Sequence, residues 1–178
     1  MANLHWSYYL LFISLIIAVY TDVTRHKIYN WLTFPMLAFG LIFSFVKSGG
    51  TGLLDGFLGF LLAFVISFVL YITKGIYGGD VKLIAAIGAW IGKNFVLPTF
   101  LWIFMCGGVL GVLYTVKNGT FIPTAKKVGR FFTALIIPGM KPEAEIKESI
   151  NEYVPYGVAI AAGTLINLLY PNLLSFSK

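Results

Sequence analysis

Two aspartates are the residues of this sequence best suited to chemistry. Asp22 ends the first long apolar run, and Asp80 lies in a polar stretch between two further apolar runs. A charged group at membrane depth costs on the order of a few kcal/mol, so it usually faces a protein interior or a water-filled cavity. Two carboxylates held around one water cannot both ionise easily, so one stays protonated while the other activates the water to attack a peptide carbonyl. The pair therefore predicts aspartic-protease chemistry, provided that the fold brings the two side chains together.

Each aspartate, taken alone, also has an ordinary structural explanation. Asp80 could cap the helix that follows it by accepting hydrogen bonds from the amides two or three residues further on. Asp22 could pair with Arg25 or His26, three and four residues along the chain. The histidines His5 and His26 are too far apart and too isolated to suggest a metal site, and we predict no metal.

Composition sets the fold class. Of the 178 residues, 58% are hydrophobic and only 11% are charged, which is far too apolar for an ordinary soluble domain. Several runs approach the roughly 20 apolar residues of a membrane-spanning helix, and they lack the alternation of barrel strands. The single cysteine, Cys106, provides neither a disulfide framework nor a zinc site, and we predict no cofactor. The net charge of +6 fits basic loops against anionic lipid better than nucleic acid.

We therefore predict an all-α integral membrane protein with about six transmembrane helices, folded as a single domain over residues 1–178. The turn signal Lys47-Ser48-Gly49-Gly50 separates the second span from the third, and Pro98 is predicted to open the fifth. The six spans cover about residues 6–20, 31–46, 53–73, 81–96, 98–116 and 154–169. Apolar residues at helical spacing in residues 126–136, with basic residues on the other face, predict one interfacial amphipathic helix.

The distribution of basic residues predicts the topology. If the N-terminus is outside, only Lys47, Lys93 and Lys178 stay outside, and this bias satisfies the positive-inside rule. Asp22 and Asp80 then lie at the cytoplasmic ends of their helices, at one membrane depth, so they could meet. Ten basic residues fall on the inner side: Arg25, Lys27, Lys74, Lys82, Lys117, Lys126, Lys127, Arg130, Lys141 and Lys147.

The surroundings of both aspartates resemble the catalytic motifs of type IV prepilin peptidases. The segment DVTRHKIYNWLT, residues 22–33, resembles the first motif, and GDVKL, residues 79–83, followed by AAIGA, resembles the second. The segment VPYGVA, residues 154–159, is similar to that family's last helix.

By this resemblance, Asp22 and Asp80 match the two catalytic residues of the membrane-embedded GxGD aspartic proteases. The implied activity removes a short basic leader from a prepilin or pseudopilin at the cytoplasmic face of the plasma (inner) membrane, after a glycine that precedes the substrate's apolar helix. Further residues of the two motifs are expected to bind substrate or shape the site, and membrane lipid is the other expected partner. These residues are Gly78, Gly79, Lys82, Arg25 and Asn30.

The chain departs from the family pattern at two positions near the site. Tyr77 stands where GxGD has its first glycine, and Tyr29 stands where a proline is usual before the asparagine. The cytoplasmic methyltransferase domain of many bacterial relatives is expected to be absent from these 178 residues. The alternative function is a small multi-pass transporter or pilus-assembly factor with structural carboxylates, since intramembrane acids also mark ion pathways. The oligomeric state is left open.

Overall fold

The structure is a computed structural model and describes residues 7–73, 75–117, 119, 155–171 and 173. These residues are helical throughout their regular parts and contain no strand, which confirms the all-α class. Three of the helices, α1, α2 and α4, are long and apolar enough to cross a membrane, so the chain is a membrane protein, while the count of about six spans is not confirmed. The helices are α1 (Ser7–Arg25), α2 (Asn30–Ile72), α3 (Gly78–Ile91), α4 (Lys93–Lys117) and α5 (Tyr156–Leu169).

Helix α1 carries its buried residues on one face. Leu11, Leu15, Ala18 and Asp22 follow one another at intervals of three or four residues, and each is fully or almost fully buried. Because such positions share one side of an α-helix, Asp22 continues the stripe that faces the core. The apolar run was expected to end the helix near residue 20, but the helix extends to Arg25, so Asp22 lies in its last turn.

Helix α2 is a hairpin of two helical arms. Ser48 and Gly49 have non-helical backbone angles, and Gly49 adopts a positive φ of 61°, which favours glycine. Ser44 and Gly56 would lie about 18 Å apart on a straight helix. Instead, a Cβ atom on Gly56 would lie 2.7 Å from the Ser44 hydroxyl oxygen. The turn predicted between the second and third spans is therefore confirmed.

Helix α3 packs between the two arms of α2. The second arm presents only small buried residues to it, namely Gly56, Gly59, Ala63 and Ser67. Gly59 and Gly88 have their backbones in direct contact, which small residues allow. On the first arm, the Met36 carbonyl accepts a hydrogen bond of 2.8 Å from the Trp90 indole nitrogen.

The boundary between α3 and α4 differs from the prediction. Gly92 adopts a positive φ of 75° and ends α3, and α4 begins at the next residue, Lys93. Pro98 was expected to open this helix, but it lies inside it. Proline is favoured at the first position of a helix, which is why Pro98 was expected to begin α4. The positive φ of Gly92 instead ends α3 and places the start of α4 five residues earlier, at Lys93.

Helix α5 packs against α4 through one side-chain hydrogen bond and one close contact between the two helix backbones. The side-chain amide of Asn167 donates a hydrogen bond of 2.9 Å to the Thr99 hydroxyl. A Cβ atom on Gly163 would lie 2.5 Å from the Ile103 backbone nitrogen. The helix starts at Tyr156, close to the predicted start of the last span.

The described residues fall into two compact units. Those up to Gly107 and from Pro155 onward form one unit, and those from Gly108 to Gly119 belong to the other. Both aspartates lie in the first unit. The interfacial helix predicted for residues 126–136 lies outside the described residues, as does Lys74.

Candidate active site

Asp22 is held by the start of the last described helix. Its side chain is 0% exposed, and its Oδ2 accepts a hydrogen bond of 2.7 Å from the backbone amide of Gly157. Gly157 is the second residue of α5, which follows Pro155. The first amides of a helix have no partner within the helix and carry partial positive charge, so they stabilise a carboxylate. The fold thus places Asp22 against an N-terminus that lies 135 residues further along the chain.

Asp80 is the third residue of α3 and is 2% exposed. Its Oδ2 accepts a hydrogen bond of 2.9 Å from the backbone amide of Tyr77, the residue that caps the helix. Asp80 therefore does accept a hydrogen bond at the start of its helix, as the capping alternative predicted. The donor is the amide of the preceding cap residue Tyr77, whereas the prediction named the amides two or three residues further on. This contact uses one of its two oxygens.

The two acids occupy the same part of the molecule. Their carboxyl groups are close enough to interact electrostatically, and the Tyr156 hydroxyl also interacts with Asp80. Three helix ends converge to produce this arrangement: the last turn of α1 and the first turns of α3 and α5. Direct contact between the Asp22 and Asp80 carboxyl groups stays a prediction.

The glycines before Asp80 allow neighbouring residues to approach. A Cβ atom on Gly79 would lie 3.1 Å from the Cβ of Ile28, in the link between α1 and α2. A Cβ atom on Gly78 would lie 3.8 Å from the Tyr71 ring. Gly79 therefore brings the chain after Asp22 against the start of α3, and a larger residue there would push Ile28 away.

Two more of the predicted site-shaping residues contact each other. Lys82 donates a hydrogen bond of 2.8 Å from Nζ to Oδ1 of Asn30, which ties α3 to the first residue of α2. Arg25 is exposed and lies beside the Tyr29 hydroxyl. Tyr29 stacks in turn on Trp31, with ring centroids 6.4 Å apart.

Sequence reasoning missed Gly157 as a site residue. A backbone amide donates the hydrogen bond, so the residue type at this position does not reveal the contact. The available signal was the order Pro155-Tyr156-Gly157, which is typical of a helix start without a bulky side chain at its second position.

Two buried carboxyl groups are suited to acid–base chemistry. Asp22 and Asp80 are both buried, and each accepts a hydrogen bond from a backbone amide. Such a pair can hold a water, remove a proton from it and donate one to a carbonyl oxygen. In the part of the chain that the structure describes, no group of three or more His, Cys, Asp or Glu side chains could hold a metal ion.

Comparison with known proteins identifies the family. The profile described as the type IV leader peptidase family matches residues 9–112, a range that contains both aspartates. The chain belongs to this family. Members similar to it include the preflagellin peptidase of Methanocaldococcus jannaschii, which is 30% identical over 145 residues, covering 75% of this chain and 59% of that protein.

Two bacterial family members also match. The prepilin leader peptidase/N-methyltransferase of Bacillus subtilis is 28% identical over 170 residues, covering 93% of this chain and 56% of that protein. The protein of the same name from Xanthomonas campestris pv. campestris is 31% identical over 102 residues, covering 53% of this chain and 36% of its own length. The chain thus spans 36% to 59% of the length of these three leader peptidases. No solved structure matches it.

Proposed function

We propose that this chain is an aspartic endopeptidase that removes the leader peptide from prepilin-like proteins. The observation that carries the proposal is the burial of Asp22 and Asp80 within interaction distance of each other, inside the region that matches the family. The printed names of the relatives, preflagellin peptidase and prepilin leader peptidase, give the substrate class.

In the proposed reaction the two carboxyl groups share one proton and one water. The ionised carboxylate takes a proton from the water, whose oxygen attacks the scissile carbonyl carbon. The protonated carboxyl group donates its proton to the carbonyl oxygen, which gives a neutral tetrahedral intermediate. The carboxyl group that took the water proton then donates it to the leaving nitrogen, and the other carboxylate takes a proton from a hydroxyl of the intermediate. The C–N bond breaks, and the leader carboxyl group and the mature N-terminus are released.

The proposal includes a location. The site opens at the cytoplasmic face of the plasma (inner) membrane, in a single peptidase domain with about six spans and both termini outside. Support comes from the bias of basic residues towards the inner segments. It also comes from the placement of both acids in terminal turns of their helices, since a pathway across the bilayer would favour acids in the middle of a span.

The test replaces the acids one at a time. Asp22→Asn and Asp80→Asn keep nearly the same shape but cannot exchange a proton, so each should lower turnover by at least about a thousandfold. Because the two groups act as one unit, the double variant should lose little more than either single variant. The assay is cleavage of a leader-bearing prepilin by detergent-solubilised protein, with membrane accumulation of every variant measured in parallel.

A matched charge change provides the control. Lys93→Gln neutralises the exposed first residue of α4 and should cleave at the wild-type rate. If an Asn variant of either acid accumulates normally and still cleaves at a near wild-type rate, the assignment fails. The helix-capping and ion-pairing explanations would then account for the two acids better.

A further inference from the structure

A cavity lies at the end of the helices remote from the two acids. It has a volume of about 350 Å³ and is lined by residues of the α2 hairpin, the α3–α4 junction and the end of α5. Helix α3 runs from Asp80 to this junction at Gly92, a distance of about 18 Å along its axis. The cavity is therefore separate from the candidate active site.

Opposite charges line this cavity. Lys47 lies exposed beside the hairpin turn, and Asp55 lies on the second arm of α2. The Asp55 carboxylate packs directly against the backbone of Gly92, whose positive φ leaves that face without a side chain. Among the residues that the structure describes, neither Lys47 nor Asp55 has an ion-pair partner. Both charges are thus available to a bound group.

A buried acceptor belongs to the same cavity. Asn167 lines it and is 2% exposed. Its amide nitrogen donates to Thr99, but its Oδ1 has no hydrogen-bond partner within the described part of the chain. This oxygen is itself closed to solvent, so Asn167 contributes to the wall of the cavity and its Oδ1 is not a binding group.

Aromatic side chains form part of the cavity wall. Tyr8, Phe43 and Trp90 line the cavity, and the Phe43 and Trp90 rings stack with centroids 5.6 Å apart. Aromatic faces accept either an apolar chain or a cation. The cavity lies at the ends of apolar helices, where the headgroups of a bilayer are located.

We propose that this cavity binds the aminoethyl phosphate headgroup of a phospholipid. Lys47 binds the phosphate, and Asp55 accepts hydrogen bonds from the primary ammonium, which has three N–H donors. The volume falls within the range of about 300–1,000 Å³ typical of small-molecule sites. The aromatic wall packs against the glycerol and the first carbons of the acyl chains. A choline headgroup lacks the N–H donors, and a glycerol headgroup lacks the cation that pairs with Asp55.

The experiment is native mass spectrometry of the detergent-solubilised full chain with short-chain phosphatidylethanolamine, phosphatidylcholine and phosphatidylglycerol at equal concentrations. A charge-assisted hydrogen bond corresponds to about a tenfold change in affinity. Wild-type protein should retain phosphatidylethanolamine about tenfold more tightly than either other lipid. Asp55→Asn should remove this preference by weakening phosphatidylethanolamine alone, whereas Lys47→Gln should weaken all three lipids, because each of them carries the phosphate. The control Lys93→Gln, at a residue that does not line the cavity, should behave like wild type.

Equal retention of the three lipids by wild-type protein would overturn the proposal, because the cavity would then show no preference for the aminoethyl headgroup. This comparison needs no variant, so it holds even if Asp55→Asn fails to fold. Unchanged phosphatidylethanolamine binding by a folded Asp55→Asn protein would also overturn it. Free phosphoethanolamine is the soluble source of the same headgroup chemistry. If it binds as tightly as the lipid, the site takes a soluble ligand and the lipid assignment is wrong.

Discussion

Replacing Gly157 by alanine would displace the Asp22 carboxylate, and the structure gives the size of this displacement. An ideal Cβ atom at this position lies 2.7 Å from Asp22 Oδ2 and 3.0 Å from its Cβ. Ordinary contacts begin at 3.4 Å, so the carboxylate and α5 must separate by about 0.7 Å. This displacement stretches the 2.7 Å hydrogen bond that orients the carboxylate. Misplacement of a reacting group by about 1 Å can cost a hundredfold in rate, so Gly157→Ala should lower kcat by about 10- to 100-fold.

The assay for this variant compares kcat and KM for cleavage of a leader-bearing prepilin. The helix propensity of alanine, higher than that of glycine by up to about 1 kcal/mol, opposes the clash, and kcat is compared per amount of accumulated protein. Gly108→Ala is the matched control, because an added Cβ there meets nothing within 4 Å, and it should cleave like wild type. The reasoning is refuted if Gly157→Ala accumulates and cleaves within twofold of wild type, since the amide would then not position Asp22.

Two other predictions concern packing and topology. Gly88→Ala places a Cβ atom against the α2 backbone and should destabilise the protein by about 1–3 kcal/mol in thermal unfolding, while Gly50→Ala, which has open space around it, should not. An equal effect of both would show that close α2–α3 packing is unimportant. Single cysteines near residues 25, 74 and 126, with the native cysteine replaced, should resist an impermeant thiol reagent in intact cells. Labelling of all three from outside would invert the proposed topology.

The sequence could predict those features that depend only on residues close together along the chain. An acid beside long apolar runs has few explanations, so the sequence alone singles out Asp22 and Asp80. The hairpin turn at Ser48 and Gly49 was predictable for the same reason, because glycine after polar residues interrupts an apolar pattern.

Features that depend on tertiary contacts could not be predicted. The amide of Gly157 acts through its backbone, and its partner lies 135 residues away. Proline at position 98 suggested a helix start, but the conformation of Gly92 determined the actual boundary. The hydrogen bond between Lys82 and Asn30 joins residues that were each expected near the site, and nothing in their spacing indicated that they pair.

Helix α3 is shielded from lipid by the helices around it. Ten of its fourteen residues are buried, so its neighbours are protein side chains on nearly every side. Its length of about 21 Å falls short of the roughly 30 Å hydrocarbon core, yet no lipid needs to match it. Thicker or thinner bilayers would be accommodated by tilting of the outer helices. The depth of Asp80 in the membrane is then set by the α2 hairpin, because α3 packs between its two arms. A change in acyl-chain length would therefore not move this acid.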